Sequence, residues 1–582
     1  MKKNLLLLAL LLTTFFAQSQ TVLNWSQKLY GSSSQVYGPK ALNNVIANDA
    51  SGNIYAIGVF NSPNGNVLVD LDPTSGVFNL NLTSGNVYIT KTDEVGNFIW
   101  ARQMGGSGSA FASSITLDGA GNIYISGKVG FGFWDFNPSP TINTNTYVQD
   151  EQANFIEKLN PDGSLIWVKL IKNIYQEDYD QINDISVDAS GNVYATGSYR
   201  LNADFDPGTG VVNLSPVTDA YVQNFVLKLD ASGNYVWAKA FKQSSGASLV
   251  QIGGHSIKSD SSGNVYICGY FGNGVMDFDP GVGVVNKTSI NAVSLFITKL
   301  NAMGELIWVN TYEKIDYSQA GFESKLVLDA TNNPVVSESI YSNAVYKNTL
   351  FKLNSATGAE IWTKSIAGVV VVTGPNGLSN SGFCESNGMT SDSEGNIYVT
   401  GWFYNTIDFD PGVGLFTMTP AINTLNIGTN FDGYFAKLDN NGNFIWANKI
   451  GDLGIDYVSN ILVNPSGKII IKGKAGVGGF NRTTATAEGS FLASYSQPAL
   501  ATSQFELDSH IAIYPNPSTG EFNIRINNDL VGAKATLYNI LGQKVNQFTL
   551  NVLTTTQNLD KGMYLIEIEK DNSKTTRKLI VN

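Results

Sequence analysis

The sequence predicts an all-β protein: a closed ring of seven four-stranded sheets, followed by a small antiparallel β-sandwich. Three observations predict it. A phrase of the form Asp-x-x-Gly-Asn-Ile/Val-Tyr starts at Asp49, Asp118, Asp188, Asp260 and Asp392, with degenerate copies at Asp329 and Asn464, the starts lying 63 to 72 residues apart. Self-similarity at a fixed period of this size marks a repeat architecture. A second phrase, a Lys-Leu or its equivalent, then a Gly-bearing turn and a Trp, ends at Trp100, Trp167, Trp237, Trp308, Trp362 and Trp446. Composition agrees: 58 Gly, 26 Tyr and 30 Phe stand in 582 residues of which only 14% are charged. Glycine suits tight turns and aromatics suit half-buried strands.

The N-terminus comes first. Lys2-Lys3-Asn4 and the apolar run Leu5 to Phe16 have the form of a secretory signal peptide, too short to span a bilayer. Small residues at Ala17 and Ser19 place cleavage between Ser19 and Gln20, so residues 1–19 are expected to be removed. No Cys follows the run to carry a lipid, and no other stretch reaches the length of a membrane helix.

Residues 20–497 form the repeat region. The third unit shows its four strands: Asn183 to Val187, Val193 to Gly197, Phe225 to Leu229 and Tyr235 to Lys239. Both hairpins turn through Asp-Ala-Ser-Gly-Asn, in which Asp accepts hydrogen bonds from the turn backbone and Gly takes the left-handed conformation. Period-two alternation puts Tyr235 and Trp237 on one face of the last strand and Val236 and Ala238 on the other.

Seven starts meet only six ends. Leu23-Asn24-Trp25-Ser26-Gln27-Lys28 parallels Ile445-Trp446-Ala447-Asn448-Lys449, while the last unit stops after Phe491 and Tyr495 with no Trp strand of its own. The N-terminal strand is therefore expected to complete the seventh sheet, closing a seven-bladed β-propeller and leaving no open edge. Units of about 70 residues are marginal as separate domains.

The repeated words resemble the secreted bacterial β-propeller repeat, over about residues 20–497, most weakly in the fifth unit. That family has no uniform activity, so the resemblance implies a fold and little function.

If both turns of every unit lie at one end, the longer connections gather at the other, where binding is usually found. First strands such as Ser256 to Ser259 and Gly388 to Ser391 are expected to line a channel with small polar groups. The segment Asp-Phe-Asp-Pro-Gly, at Asp204 and Asp206, Asp277 and Asp279, and Asp408 and Asp410, offers paired carboxylates to Ca²⁺. Two carboxylates fall short of the six or more oxygens Ca²⁺ takes, so the segment reads first as an Asp-capped turn with its Phe packed inside. Asn354 to Trp362 is similar to the Trp-docking motif of quinoprotein propellers, where Trp is also a packing device. Of the aromatics in the loops, Trp134, Trp402 and Tyr404 are candidates for stacking on sugars, with Trp402 read first as packing between sheets.

A net charge of -12 argues against nucleic acid or anionic membrane as partner. The two cysteines, Cys268 and Cys384, are too few for a disulfide framework, and the two histidines, His255 and His510, fall in different domains. Little His-dependent chemistry remains, and no nucleophile elbow is present. Distant loop carboxylates leave glycoside chemistry open. No catalytic, cofactor or metal residue is assigned, and no cofactor is expected.

Residues 498–510 read as a linker, and the pattern changes at Ile511. Tyr514-Pro-Asn-Pro, then Leu537-Tyr-Asn-Ile-Leu-Gly-Gln, then Gly562-Met-Tyr-Leu alternate as strands and turns of a small sandwich. These words, over residues 511–582, resemble the type A C-terminal sorting domain of the type IX secretion system of Bacteroidetes. The resemblance implies export through the periplasm, handling by the type IX machinery, removal of the tail in the linker, and release or attachment at the cell surface. The function expected is a non-catalytic module binding glycan or protein on its loop face. The alternatives are a secreted hydrolase or lyase using loop carboxylates, and an adhesin-like scaffold.

Overall fold

The computed structural model describes residues 21–29, 46–59, 67–82, 86–108, 110–130, 132–139, 148–149, 152–172, 181–200, 203–214, 222–243, 253–314, 324–342, 345–369, 371–373, 378–380, 382–421, 431–451, 455–475, 489–497, 511–527, 530–539, 543–570 and 573–582. The expected signal peptide and linker lie outside these residues. The chain divides into two compact units, Met1–Ser496 and Gln497–Asn582.

The first unit is all-β, and its described residues contain seven antiparallel four-stranded units. The third runs Gln181–Val187, Val193–Tyr199, Gln223–Leu229, Tyr235–Gln243, each strand paired with the next. Its four strands contain those read from the sequence and extend them by two to four residues. The last runs Tyr457–Val463, Ile469–Ala475, Gly489–Ser496, and its outermost strand is Val22–Leu29, with Trp25 opposite Ser494 and Lys28 opposite Phe491. The first strands neighbour one another in cyclic order, Ile46–Asn48 lying beside both Ala110–Leu117 and Tyr457–Val463.

The turns follow from the repeated words. Asp188 Oδ1 accepts from the backbone N–H of Ser190 (2.9 Å) and Asn192 (3.0 Å), and Oδ2 accepts from Asn192 Nδ2 (2.8 Å) and the Tyr194 hydroxyl (3.0 Å). Gly191 sits at φ 80°, where a Cβ is disfavoured. The fifth unit, which lacks the Gly-Asn turn, folds the same way because Asn332 takes φ 62° in place of glycine. Its sheet is Lys325–Leu328, Pro334–Ser342, Val345–Leu353 and Glu360–Gly368.

Adjacent sheets are joined by the Trp. Trp167 Nε1 donates to Ala231 O (3.2 Å), Trp237 to Ala302 O (3.1 Å), Trp308 to Ser355 O (3.2 Å) and Trp362 to Asn440 O (3.1 Å), in each case reaching the outer turn of the following sheet. The expected alternation on this strand fails at one residue. Lys228 faces Trp237 but Leu229 faces Tyr235, so Val236 is a β-bulge, 45% exposed. Ile99, Ile166, Ile307 and Ile361 occupy the same bulge before Trp100, Trp167, Trp308 and Trp362. Bulging re-aims the next side chain. Here it turns Trp towards the neighbouring sheet, puts the aliphatic residue in solvent, and sets Tyr235 and Trp237 opposite adjacent residues, Leu229 and Lys228, where strict alternation had them on one face.

The second unit pairs a three-stranded sheet (Ile511–Tyr514, Glu521–Ile526, Thr554–Asn558) with a four-stranded one (Lys544–Leu550, Ala533–Asn539, Gly562–Lys570, Ser573–Val581). Phe522, Ile524, Leu537, Ile566 and Ile568 form its core.

Candidate functional site

Because each sheet is an up-and-down meander, its Asp- or Asn-capped hairpins (two in the first six sheets, one in the seventh) share one end, and every longer connection leaves from the other. The candidate site is that loop-bearing end.

The Asp-Phe-Asp-Pro-Gly segments are built as turns. Asp204 Oδ1 accepts from the N–H of Asp206 (3.0 Å) and Val212 (2.8 Å), and Asp206 Oδ1 accepts from Gly208 N–H (2.8 Å). Asp277 with Asp279, and Asp408 with Asp410, repeat this arrangement. Phe205 is buried, its ring 4.9 Å from that of Phe225. Two of these segments also latch consecutive sheets: Asp277 pairs with Lys242 on the outer strand of the third sheet, and Asp408 with Ala367 on that of the fifth. Among the described residues no group of three or more His, Cys, Asp or Glu is placed to hold a metal ion.

In the first strands Ser256 and Gly388 are buried between neighbouring strands, while Lys258, Ser259, Met389, Thr390 and Ser391 are half-buried. The strands are held together by Asp184, which the sequence reading passed over. Its carboxylate accepts from Ser114 Oγ (2.8 Å), Ser256 Oγ (2.9 Å), Ile257 N–H (3.0 Å) and Lys258 Nζ (3.0 Å), tying the first strands of three consecutive sheets together. Burial alone would raise this carboxyl, but Lys258 and the donated hydrogen bonds outweigh it and hold it below the ordinary value. A one-residue bulge recurs here too, at Ser113, Asn183, His255, Asn387 and Ser459. His255 lies edge-on to Tyr270 (4.8 Å), whose hydroxyl donates to Glu338 Oε2.

The loop end of the sixth and seventh sheets gathers further groups absent from the sequence reading. Asp432 Oδ2 pairs with Lys449 Nζ at 2.9 Å and accepts from Ala421 N–H at 2.9 Å. A Cβ placed on Gly451 would lie 2.7 Å from Asp432 Oδ1 and 2.9 Å from Asp456 Oδ2, so the two carboxylates share one small space. Both are buried. Beside them stands an aromatic cluster: Phe383 and Trp402 within, and Tyr346, Tyr404, Phe431 and Tyr457 half-buried around them. Of the three aromatics singled out earlier, Trp134 is buried in a core, Trp402 is buried in this cluster, and Tyr404 is at its surface. Trp362 packs between sheets, as its motif implied. Cys268 and Cys384 are buried free thiols, each pushed up to about 12 by burial. No described helix is long and apolar enough to cross a membrane.

Comparison with known proteins agrees with the words of the sequence. Residues 512–582 match the family described as secretion system C-terminal sorting domain, and residues 99–128 match the β-propeller repeat family. An uncharacterized WD repeat-containing protein of Acanthamoeba polyphaga mimivirus is 24% identical over 450 residues, 64% of this chain and 31% of that protein. The chain thus spans about a third of that relative's length. Among solved structures, PorZ, described as an essential bacterial surface component of the type IX secretion system of Porphyromonas gingivalis, is 9% identical, with 94% of this chain and 82% of that one covered and a TM-score of 0.23. The polysaccharide lyase Uly1 is 8% identical, with 93% and 100% covered and a TM-score of 0.26. Likenesses this distant carry no argument about activity. The sorting tail does carry one about destination: residues 512–582 match a C-terminal sorting domain of the type IX kind, which marks the chain for handling by that machinery and for export to the cell surface or the extracellular space.

Proposed function

We propose that the chain is an exported, non-catalytic binding module. In this reading its seven sheets form one ring closed by the N-terminal strand, and the loop-bearing end takes a glycan or a protein. One observation carries the reading: the capped turns fill one end of the sheets and differ by a single residue, at Asn354 to Ala359, so nearly all variation in connection length falls at the other, on a rigid frame suited to recognition. The cyclic neighbour order of the first strands and the pairing of Val22–Leu29 with Gly489–Ser496 support the ring. Residues 1–19 are then a signal peptide, 20–497 the propeller, 498–510 a linker cut after export, and 511–582 the sorting domain.

The test is retention of the purified chain on a glycan array and on a panel of extracellular matrix and host-surface proteins. Saturable binding to one ligand class that loop-end substitutions abolish supports the module. Binding unaffected by any loop-end substitution, or none at all, refutes it and favours a scaffold.

One observation favours a second reading, a secreted hydrolase or lyase: Asp432 and Asp456 converge beside Lys449. Paired carboxylates are the machinery of glycoside cleavage. Product release from polysaccharide by the chain, lost in Asp456→Asn, would establish it.

A further inference from the structure

The repeat supplies its own internal comparison, and the sixth sheet departs from it at the loop end. Gly401 is the counterpart of Gly127, Gly197 and Gly473, each pairing with the residue just before the first-strand bulge. The residue after that glycine is Lys128, Ser198 or Lys474 in three sheets and Trp402 in the sixth. Three positions past it stands Arg200 in the third sheet and Tyr404 in the sixth. The residue two before the first-strand bulge is Gln181 in the third sheet and Tyr457 in the seventh. The fourth sheet has Tyr270 after the same glycine and the second has Phe111 two before its bulge, so single aromatics occur at these positions elsewhere; the sixth and seventh sheets bring aromatics at all three together.

The rings are contiguous. Trp402 lies 4.7 Å from Phe431, Phe431 5.8 Å from Tyr404, and Tyr404 is stacked on Phe383 at 5.6 Å with planes 15° apart. Tyr346 reaches Phe383 from the fifth sheet at 4.8 Å. Asp456 N–H donates to Phe431 O (2.9 Å), which brings Tyr457 of the seventh sheet alongside. The surface offered is Tyr346, Tyr404, Phe431 and Tyr457, three of them with phenol hydroxyls, edged by the Asp432–Lys449 ion pair.

We propose that this patch is a binding site for a neutral pyranose chain. Flat aromatic faces bordered by groups that both donate and accept hydrogen bonds match a sugar ring, which has an apolar C–H face and an equatorial fringe of hydroxyls. Clustered aliphatic side chains would have suited a helix or strand of a protein partner; here the patch is aromatic throughout. A net charge of -12 disfavours polyanionic polysaccharides. This site rests on the reading of the loop end as a recognition face and names its ligand class.

The experiment is calorimetric titration of the full chain with neutral hexasaccharides (β-1,4-glucose, β-1,3-glucose and α-mannose), with an alginate hexasaccharide for contrast. Binding of at least one neutral probe, alginate staying unbound, and a weakening of tenfold or more in Tyr404→Ala/Tyr457→Ala but not in Arg200→Ala is the result expected. If the double alanine variant melts early, Tyr404→Leu/Tyr457→Leu keeps the volume and removes the flat faces, with the same weakening expected. Neutral sugar binding that both double variants retain overturns this site while leaving a glycan-binding loop face intact. No binding of any neutral probe, or binding of alginate alone, also overturns it; alginate binding would leave a glycan-binding loop face intact, and with no probe bound the wider reading stands or falls on the glycan array and the protein panel.

Discussion

The indole N–H of Trp25 donates to the backbone oxygen of Glu94 across 3.2 Å, joining the N-terminal strand to the outer turn of the first sheet. This is the bond that Trp167, Trp237, Trp308 and Trp362 make to the sheet that follows each of them. The register also slips between Leu23 and Trp25, so Asn24 is the bulged residue that every other Trp strand has before its Trp. Lys472, buried in the last sheet, donates to Ile57 O of the first at 2.7 Å. The strand at the start of the repeat region thus behaves as the missing fourth strand of the last sheet.

Removing Thr21 to Gly31 should therefore lower the melting temperature far more than removing eleven residues from the linker. Trp25→Ala should cost about 2 kcal/mol in a denaturant titration, from lost aromatic burial and the lost bond. Trp25→Phe should cost about half of that. Equal melting temperatures for the two truncations would refute closure by this strand.

Asp184 supplies a second test. Asp184→Ala leaves the Ser114 and Ser256 hydroxyls and the Ile257 N–H without their acceptor, and should destabilise the chain by about 3 kcal/mol. The pH dependence has a definite sign. A carboxyl held lower in the folded than in the unfolded chain adds stability that is full above its ordinary value of 3.8 and fades as pH falls through the folded value. Urea midpoints should decline below about pH 4 for the parent, and less steeply for Asp184→Ala. Parallel curves would show that another group carries the acid sensitivity.

Much of this architecture was legible in the sequence, because the turns are local. Asp, Gly and Asn at fixed offsets dictate a hairpin whatever surrounds them, which is why strand positions could be read in the third unit. The fifth unit's sheet was legible for the same reason, Asn332 being among the few residues that tolerate the left-handed conformation. What depends on neighbours was not legible. Period-two alternation put Val236 with Ala238 and Tyr235 with Trp237, but a bulge has no composition signal in a strand of mixed Val, Trp and Ala. Asp184 read as one polar residue in a polar first strand; its role appears only when Ser114 and Lys258, about seventy residues away on either side, are brought to it. The Trp402 cluster had a usable signal, namely Trp402 and Tyr404 together at two positions where the second, third and seventh repeats have no aromatic residue and the fourth has Tyr270 alone, and only unit-by-unit alignment would have exposed it.

The Asp-Phe-Asp-Pro-Gly segments should be indifferent to metal removal. Asp204 spends Oδ1 on two backbone N–H groups, as do Asp277 and Asp408, so that oxygen of each carboxylate is committed to its own turn. Excess chelator should leave the melting temperature unchanged, while Asp204→Ala should cost about 1 kcal/mol through two orphaned donors. A chelator-induced drop reversed by Ca²⁺ would instead establish these pairs as cation sites.

Glu157 is the last case, and its sign is opposite to that of Asp184. It is fully buried, neither carboxyl oxygen has a hydrogen-bond partner among the described residues, and it occupies the position that Leu227 fills in the third sheet. Burial pushes its carboxyl well above the usual range, and the nearby Asp135 adds to the effect. A folded-state value raised above the unfolded one means the folded chain holds this proton more tightly. Stability from this group is then greatest below about pH 4.5 and lost as pH rises towards the folded value. Glu157→Leu removes an unsatisfied buried acid and restores the residue type of the neighbouring repeat, so it should stabilise the chain at pH 8 by on the order of 2 kcal/mol. The gain should shrink as pH approaches 4.5. Denaturant midpoints for parent and variant at pH 4.5, 6 and 8 would decide it: a gap that widens with pH is the expected outcome, and a constant gap would mean that volume, not ionisation, sets the difference.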